Sequence, residues 1–170
     1  MRRALVVLIG AVVAIAALVG LVLFLGSRDD SQLSAGPSGP GELQEDRGAR
    51  HDGPAEETGE PPTSGTHRPD LVTRDRRELT ADQIIHALEL GNVVILYERR
   101  APALGRLQEE VSGPFDADLA AAGQAVILMR RDGAGPAAAL AWRRILRAED
   151  PADPALREFA EAWLGVGLEP

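Results

Sequence analysis

The feature that most constrains this chain is an uninterrupted apolar run from Ala4 to Gly26, "ALVVLIGAVVAIAALVGLVLFLG". The run contains no charged or strongly polar side chain. A helix of this length, rising about 1.5 Å per residue, would extend roughly 34 Å and could cross a hydrocarbon core of about 30 Å. The run therefore predicts a transmembrane helix over residues 4–26.

A cleavable secretory signal is the alternative interpretation of the same run. Such signals have an apolar stretch of only about 7 to 15 residues and end at small residues. Here Phe24 and Leu25 stand where those small residues would be, so we favour an uncleaved anchor in the lipid bilayer. Because Arg2 and Arg3 precede the run, residues 1–3 are expected in the cytoplasm and the rest of the chain outside the cell membrane.

Residues 27–60 have the composition of a flexible acidic linker. They are rich in Gly, Pro and Ser, and three arginines stand against nine acidic residues. Leu33 and Leu43 are the only large apolar residues, too few to offset the entropy of ordering the segment. The sequence therefore predicts disorder here, and His51 is expected to be an isolated, solvated histidine.

The composition narrows the chemistry of the whole chain. There is no cysteine, which excludes disulfides and thiolate metal ligands. The formal net charge is −8 and no basic stripe is visible, so nucleic acid is not an expected partner. Any metal site must be built from histidine and carboxylate side chains.

Hydrophobic periodicity begins only after the linker. Thr80 and Gln83 form a capping box that starts a helix near Ala81, and Gly91 fits the left-handed residue that would end it after Leu90. The run "VVILY" over 93–97 follows, β-branched and apolar without polar alternation. This pattern predicts a central strand that is covered on both faces.

The remaining segments predict a single α+β, or small α/β, domain over 61–170, with a short sheet flanked by helices. Residues 137–149 are ambiguous, because their propensity favours a helix while the preceding Gly-Pro turn is equally compatible with a pair of strands. The other expected elements are an amphipathic helix after Pro102, a helical turn over 118–122, a buried strand over 125–129 and a last helix from the cap at Asp153 to Gly165.

Two motifs resemble a known family. They are "PPTSGTH" over 61–67 and "HALELGNVVILY" over 86–97, with a later "AWRR" over 141–144. Together they resemble the membrane-anchored bacterial family known as domain of unknown function 3105, over roughly residues 59–170. That resemblance implies an anchored, extracytoplasmic architecture, favours strands around 141–142 and carries no established activity.

The chain departs from the family pattern at two positions. Glu60 stands where many members have a histidine before the prolines, and Leu90 stands where the motif has its second histidine. His67, His86 and Glu89 match their motif positions. If the second histidine is a metal ligand in the family, its replacement by Leu90 removes one donor here.

His67, His86 and Glu89 are the candidate site residues. His86 and Glu89 are three residues apart and share a helix face, and His67 could join them from the proline segment, giving the minimum donor set of a zinc-type site. The simpler hypothesis is a latch, in which His86 bonds the loop backbone, Glu89 pairs with an arginine or faces solvent, and His67 docks the loop.

These observations favour a binding or interaction module of the cell envelope, with an unknown envelope protein or small ligand as its partner. Its working surface would join the loop over 61–67, including Ser64, to the helix end over 86–91, including Gly91. The alternative is a metal-binding protein or metallohydrolase using His67, His86 and Glu89 with a divalent metal ion. No catalytic residue is assigned, because the sequence has no G-x-S-x-G elbow and no phosphate-binding or HExxH motif.

Overall fold

The computed structural model describes residues 39–56 and 59–168. The cytoplasmic segment 1–3, the transmembrane helix over 4–26 and the first part of the linker, 27–38, lie outside the described residues and stay predictions. Among the helices that are described, none is both long and apolar enough to span a membrane. The residues described below belong to one compact unit that begins at Gly39.

The first helix and the strand after it follow the predicted boundaries. Helix α1 spans Ala81–Leu90, with Thr80 and Gln83 forming the capping box, and it ends at Gly91 with φ of 107°. Strand β2 spans Val93–Tyr97 and is buried throughout. The capping residues set the ends of α1, and the apolar run sets the extent of β2. Both signals act within a few residues of the chain, so they can be read from the sequence.

Besides β2, the described residues form the strands β1 (Glu42–Leu43), β3 (Val126–Arg130), β4 (Ala137–Ala141) and β5 (Arg144–Ala148). The five strands form one mixed sheet in the order β1-β5-β4-β2-β3. Strands β2 and β3 are parallel, with Val93 opposite Val126, and the other neighbouring strands are antiparallel. Strand β2 therefore lies inside the sheet, as predicted. The remaining elements are the helices α2 (Pro102–Val111), α3 (Ala117–Ala121) and α4 (Pro154–Trp163).

Helices cover both faces of the sheet, which gives an α+β domain with two apolar layers. On one face α2 and α4 pack through Leu104 and Phe159 against a cluster that includes Ile95. On the other face α1 packs through Ile84 and Leu88, which are 1% and 0% exposed. Burial on both faces explains why the strands lack polar alternation.

Residues 137–149 form strands and not the helix that their propensity favours. Strands β4 and β5 pair as an antiparallel hairpin in which Ala139 faces Leu146. Arg143 takes the turn in a left-handed conformation, with φ of 57°. The small alanine side chains fit in a helix or a strand. Hydrogen bonding to the edge of β2 therefore decides that β4 is a strand.

The described part of the predicted linker differs from the expected disorder. Strand β1 pairs with β5, and the Trp163 Nε1–H donates to the Pro40 carbonyl at 2.9 Å. The Gln44 amide donates to the Arg143 carbonyl at 2.8 Å. These residues join the domain through hydrogen bonds of their own backbone groups, which their low content of apolar side chains does not reveal.

Candidate functional site

Helix α1 carries three acidic or imidazole side chains on one face. Asp82, His86 and Glu89 are spaced by four and three residues, which places them on the same side of a helix. The face that carries Ile84 and Leu88 is buried against the sheet. The orientation of α1 on the core therefore directs the polar face toward the segments that precede the helix.

The Pro61–His67 loop is fixed by hydrogen bonds to residues 45–50. The Ser64 hydroxyl donates to the Glu45 carbonyl at 3.1 Å and accepts from the Arg47 amide at 3.0 Å. The Gly65 amide donates to the Gly48 carbonyl at 2.7 Å, and Gly65 has φ of 138°. Ser64 thus positions the loop and lies outside the group of side chains that converge on α1.

Three further hydrogen bonds from backbone amides bring His51 and His67 to the helix. The His67 amide donates to the Arg50 carbonyl at 2.9 Å, which holds the two histidine-bearing segments side by side. The amides of Ala55 and Arg68 both donate to Oδ1 of Asp82, at 2.7 and 2.9 Å. Asp82 therefore clamps both segments to the first turn of α1.

The electrostatics of Asp82 agree with this clamping role. Burial acts to raise the pKa of its carboxyl group, but the amides of Arg68 and Ala55 and the charges of Arg68 and His67 favour the ionised form. The net effect is a pKa below the ordinary value of 3.8. The ionised carboxylate is thus the form that the folded domain stabilises.

Four side chains meet above α1, and we call them the His–Glu cluster: His51, His67, His86 and Glu89. One potential ligand atom from each lies within 4.8 Å of all the others. Oε2 of Glu89 is 3.0 Å from Nε2 of His51, 3.1 Å from Nε2 of His67 and 3.4 Å from Nδ1 of His86. Nε2 of His67 and Nδ1 of His86 are 3.4 Å apart. The chain has three histidines in all, and every one of them belongs to this cluster.

The second nitrogen of His67 determines its tautomer. Nδ1 of His67 lies 3.1 Å from the Gly65 carbonyl oxygen, and a carbonyl only accepts hydrogen bonds. Nδ1 therefore carries the proton, and a neutral ring presents the lone pair of Nε2 to His86 and Glu89. This arrangement is typical of metal-binding histidines, whose outer nitrogen donates to a backbone carbonyl or carboxylate.

Accessibility changes across the cluster. The side chain of His67 is 0% exposed, those of His86 and Glu89 are 12% and 16% exposed, and that of His51 is 46% exposed. The cluster is therefore closed toward the core and open to solvent beside His51. A small ion or water molecule can reach it from that side.

The structure brings His67, His86 and Glu89 together, but the contacts differ from those of the predicted latch. His67, not His86, bonds the loop backbone at Gly65. Glu89 faces imidazoles, and among the described residues it forms no ion pair with an arginine. These contacts correspond to the converging donor set of the alternative hypothesis.

Gly91 belongs to the support of the helix. Its φ of 107° ends α1, and its carbonyl accepts from the Gly165 amide at 2.8 Å. A side chain here would meet the backbone of Gly165 and Gly167 at 3.0 and 3.1 Å. The absence of a side chain at Gly91 therefore lets Gly165 and Gly167 pack against the end of α1.

The residues at which the chain departs from the family pattern contribute no donor to the cluster. Glu60 forms an ion pair with Arg147, with Oε2 and Nη2 2.7 Å apart. Leu90 is a partly buried residue at the end of α1. His51 brings a third imidazole from the segment that precedes the loop.

His51 is the residue that sequence reasoning missed. Its polar surroundings predicted an isolated histidine, whereas its Nε2 lies 3.0 Å from Glu89 across a separation of 38 residues. The rarity of histidine in this chain was the available signal, since a site built from imidazoles can use only these three residues.

Comparison with known proteins identifies one family that the chain matches. A family model described as "Protein of unknown function (DUF3105)" matches residues 51–168. No curated protein and no solved structure matches the chain. The family match begins at His51 and includes all four residues of the His–Glu cluster. It confirms the family that the two sequence motifs indicated, while membrane anchoring stays a prediction.

Proposed function

The chain belongs to the DUF3105 family of proteins of unknown function, and we propose that its domain binds a divalent transition-metal ion through His51, His67, His86 and Glu89. The observation that carries the proposal is the convergence of every histidine of the chain on one carboxylate. This convergence brings together the segment of His51, the loop that ends at His67 and helix α1. A latch that only holds the loop on α1 would not require His51 to join them.

The distances within the cluster suit a small ion. In a tetrahedral site with metal–nitrogen distances of about 2.0 to 2.1 Å, neighbouring donor atoms are roughly 3.3 Å apart. Four of the six distances between the donor atoms range from 3.0 to 3.4 Å, and all six are at most 4.8 Å.

The donor types narrow the choice of ion. Imidazole and carboxylate ligands suit Zn(II) and Cu(II), whereas Mg²⁺ and Ca²⁺ prefer oxygen ligands alone. His67 is also prepared for coordination, because the Gly65 carbonyl holds the proton on Nδ1 and leaves the Nε2 lone pair directed at the cluster. We therefore propose Zn(II) or Cu(II) as the bound ion.

A second candidate function is an interaction module of the cell envelope that presents the Pro61–His67 loop to a partner. The specific observation in its favour is the rigidity of the loop, in which Thr63 and Ser64 are 7% and 4% exposed and the Ser64 hydroxyl is bonded on both sides. A loop held in this way loses little entropy when it binds. The two functions are compatible if a metal ion stabilises the presented surface.

The proposed location follows from the N-terminal sequence. We propose that residues 4–26 anchor the protein in the cell membrane and that the domain lies on the extracytoplasmic side. The support is the length of the apolar run and the two arginines that precede it. Protease accessibility in intact cells, compared with cells made permeable, would test this orientation.

Calorimetric titration of the full-length protein with Zn(II) and Cu(II) tests the metal proposal. We expect one ion per chain, with affinity reduced by at least about 10-fold in His51→Ala. Asp52→Ala is the matched control, because Asp52 is the next residue and its side chain is 66% exposed. Absence of stoichiometric binding, or equal losses in the two variants, would contradict the metal site and leave the loop as the candidate working surface.

A further inference from the structure

A second polar site lies at the end of the two parallel strands, apart from the His–Glu cluster. A cavity of about 500 Å³ is lined by Arg76, Tyr97, Glu98, Arg99, Arg100 and Arg130. Tyr97 and Arg130 are the last residues of β2 and β3. The carboxyl ends of parallel strands are a common place for ligands to bind in α/β sheets. The chain has a net charge of −8, so four arginines around one cavity are a local concentration of positive charge.

Arg76 is held in an uncommon backbone conformation at this cavity. Its φ of 59° lies in the left-handed region, which is unfavourable for a residue with a side chain. Its amide donates to the Leu128 carbonyl on the open edge of β3. Strain of this kind persists where the surrounding structure fixes the residue, and it is concentrated at binding and catalytic sites.

The guanidinium of Arg76 is held in place by Gln108 and Asp75. Nη2 donates to Oε1 of Gln108 at 2.9 Å, and Nε lies 3.4 Å from Oδ2 of Asp75. Gln108 is 0% exposed and also donates to Asp75 and to the Val126 carbonyl, both at 2.8 Å. A fully buried amide thus fixes the position of the arginine that lines the cavity.

Arg99 and Arg100 supply charge that is not neutralised within the domain. Both are exposed, and neither has an ion-pair partner among residues 39–56 and 59–168. Within residues 39–56 and 59–168, Arg130 pairs with the exposed Asp132 alone, at 3.3 Å, and Glu98 is the acidic residue of the lining. A neighbouring cavity of about 370 Å³ shares Glu98, Arg99 and Arg100. An anion in this region would therefore meet two unpaired guanidinium groups and one that is already oriented.

We propose that this basic cavity binds a phosphate group, carried by a small soluble molecule or by a lipid headgroup. The planar guanidinium group matches the oxygens of phosphate and makes paired, charge-assisted hydrogen bonds with them. The cavity holds a compact group and does not form the extended basic stripe that a nucleic acid backbone requires. The site is separate from the proposed metal centre, so either proposal can fail without the other.

Titration calorimetry with inorganic phosphate tests the proposal on the full-length protein in a neutral detergent. The protein is first stripped of metal with a chelator, so that phosphate cannot bind to an ion at the His–Glu cluster. We expect one phosphate per chain, bound at least about 10-fold more weakly by the Arg99→Gln/Arg100→Gln double variant. The Arg106→Gln/Arg157→Gln variant removes the same charge beside a different cavity and should stay within about 2-fold of wild type.

A second arm distinguishes the two sources of phosphate. The inorganic phosphate titration is repeated in mixed micelles that contain phosphatidylglycerol. A weaker apparent affinity for inorganic phosphate in these micelles identifies a lipid headgroup as a competing ligand, and an unchanged affinity favours a soluble phosphate compound. The proposal is overturned if no saturable binding is seen in either arm, or if both double variants lose affinity equally.

Discussion

His51 and Glu89, which are 38 residues apart in the chain, meet with Nε2 3.0 Å from Oε2. This contact places a residue of the predicted linker beside the candidate site on α1. It also completes a set of three imidazoles around one carboxylate oxygen. The segment that carries His51 is therefore part of the candidate site and does not only connect other parts of the chain to it.

The first prediction concerns the carboxylate of Glu89. Glu89→Gln keeps the shape of the side chain but removes the negative charge that would face a cation, so the gain in stability on adding metal should shrink. A ligand at 100 times its Kd stabilises a protein by about 2.7 kcal/mol. Urea denaturation with and without Zn(II) measures the gain. An equal gain in wild type and variant would show that Glu89 does not contact the ion.

The second prediction concerns the effect of pH on metal binding. Protons compete with the ion for the imidazole nitrogens, so the apparent affinity for the metal should fall as the pH is lowered and return when the pH is raised. Titration calorimetry at several pH values gives the affinity, and the same titrations with different buffers count the protons released. Affinity that is independent of pH would argue against histidine ligands.

The third prediction concerns the Asp82 clamp. Because the folded domain lowers the pKa of Asp82, the ionised carboxylate adds stability above the ordinary value of 3.8, and this contribution is lost as the pH falls through the lowered value. Wild type should therefore be more stable than Asp82→Asn near neutral pH, with the difference shrinking in acid. Denaturation of both proteins across this pH range measures the difference.

Hydrogen exchange provides a local test of the same clamp. The amides of Ala55 and Arg68 should exchange faster in Asp82→Asn, because the charge that favours both hydrogen bonds is lost. Unchanged protection of these two amides, together with a stability difference that does not vary with pH, would rule out the clamp.

The fourth prediction concerns Gly91 at the end of α1. Gly91→Ala should be more destabilising than Gly113→Ala, since both glycines have positive φ but only Gly91 faces backbone atoms within 4 Å. We expect a cost of about 1 kcal/mol at Gly113 and at least about 2 kcal/mol at Gly91. Thermal and chemical denaturation give the two values. Equal costs would mean that the C-terminal segment moves freely away from the helix end.

Much of the local structure was predictable from the sequence because its causes are local. The capping box at Thr80 and Gln83 and the glycine at position 91 fix the ends of α1 through contacts within a few residues. The buried strand at 93–97 follows in the same way from its apolar side chains. His67, His86 and Glu89 were also identified, from their motif positions and from the helix spacing of the last two.

The conformation of 137–149 could not be decided from propensity. Alanine and arginine favour a helix, but pairing of β4 with β2 and β5 gives a hairpin with Arg143 in its turn. The family resemblance favoured strands, and the structure agrees. The deciding interaction is the hydrogen-bonding edge of another strand, which no local pattern describes.

The sequence by itself thus determined the ends of α1, the buried strand at 93–97, the absence of thiolate chemistry and three of the four residues of the His–Glu cluster. Only the tertiary structure decided that His51 joins them and that residues 39–56 belong to the domain. The physical reason is that these segments are held mainly through their own backbone groups, as in the hydrogen bond from the Gly65 amide to the Gly48 carbonyl, 17 residues apart. Backbone groups are the same at nearly every position, so their pairing leaves no signature in side-chain composition.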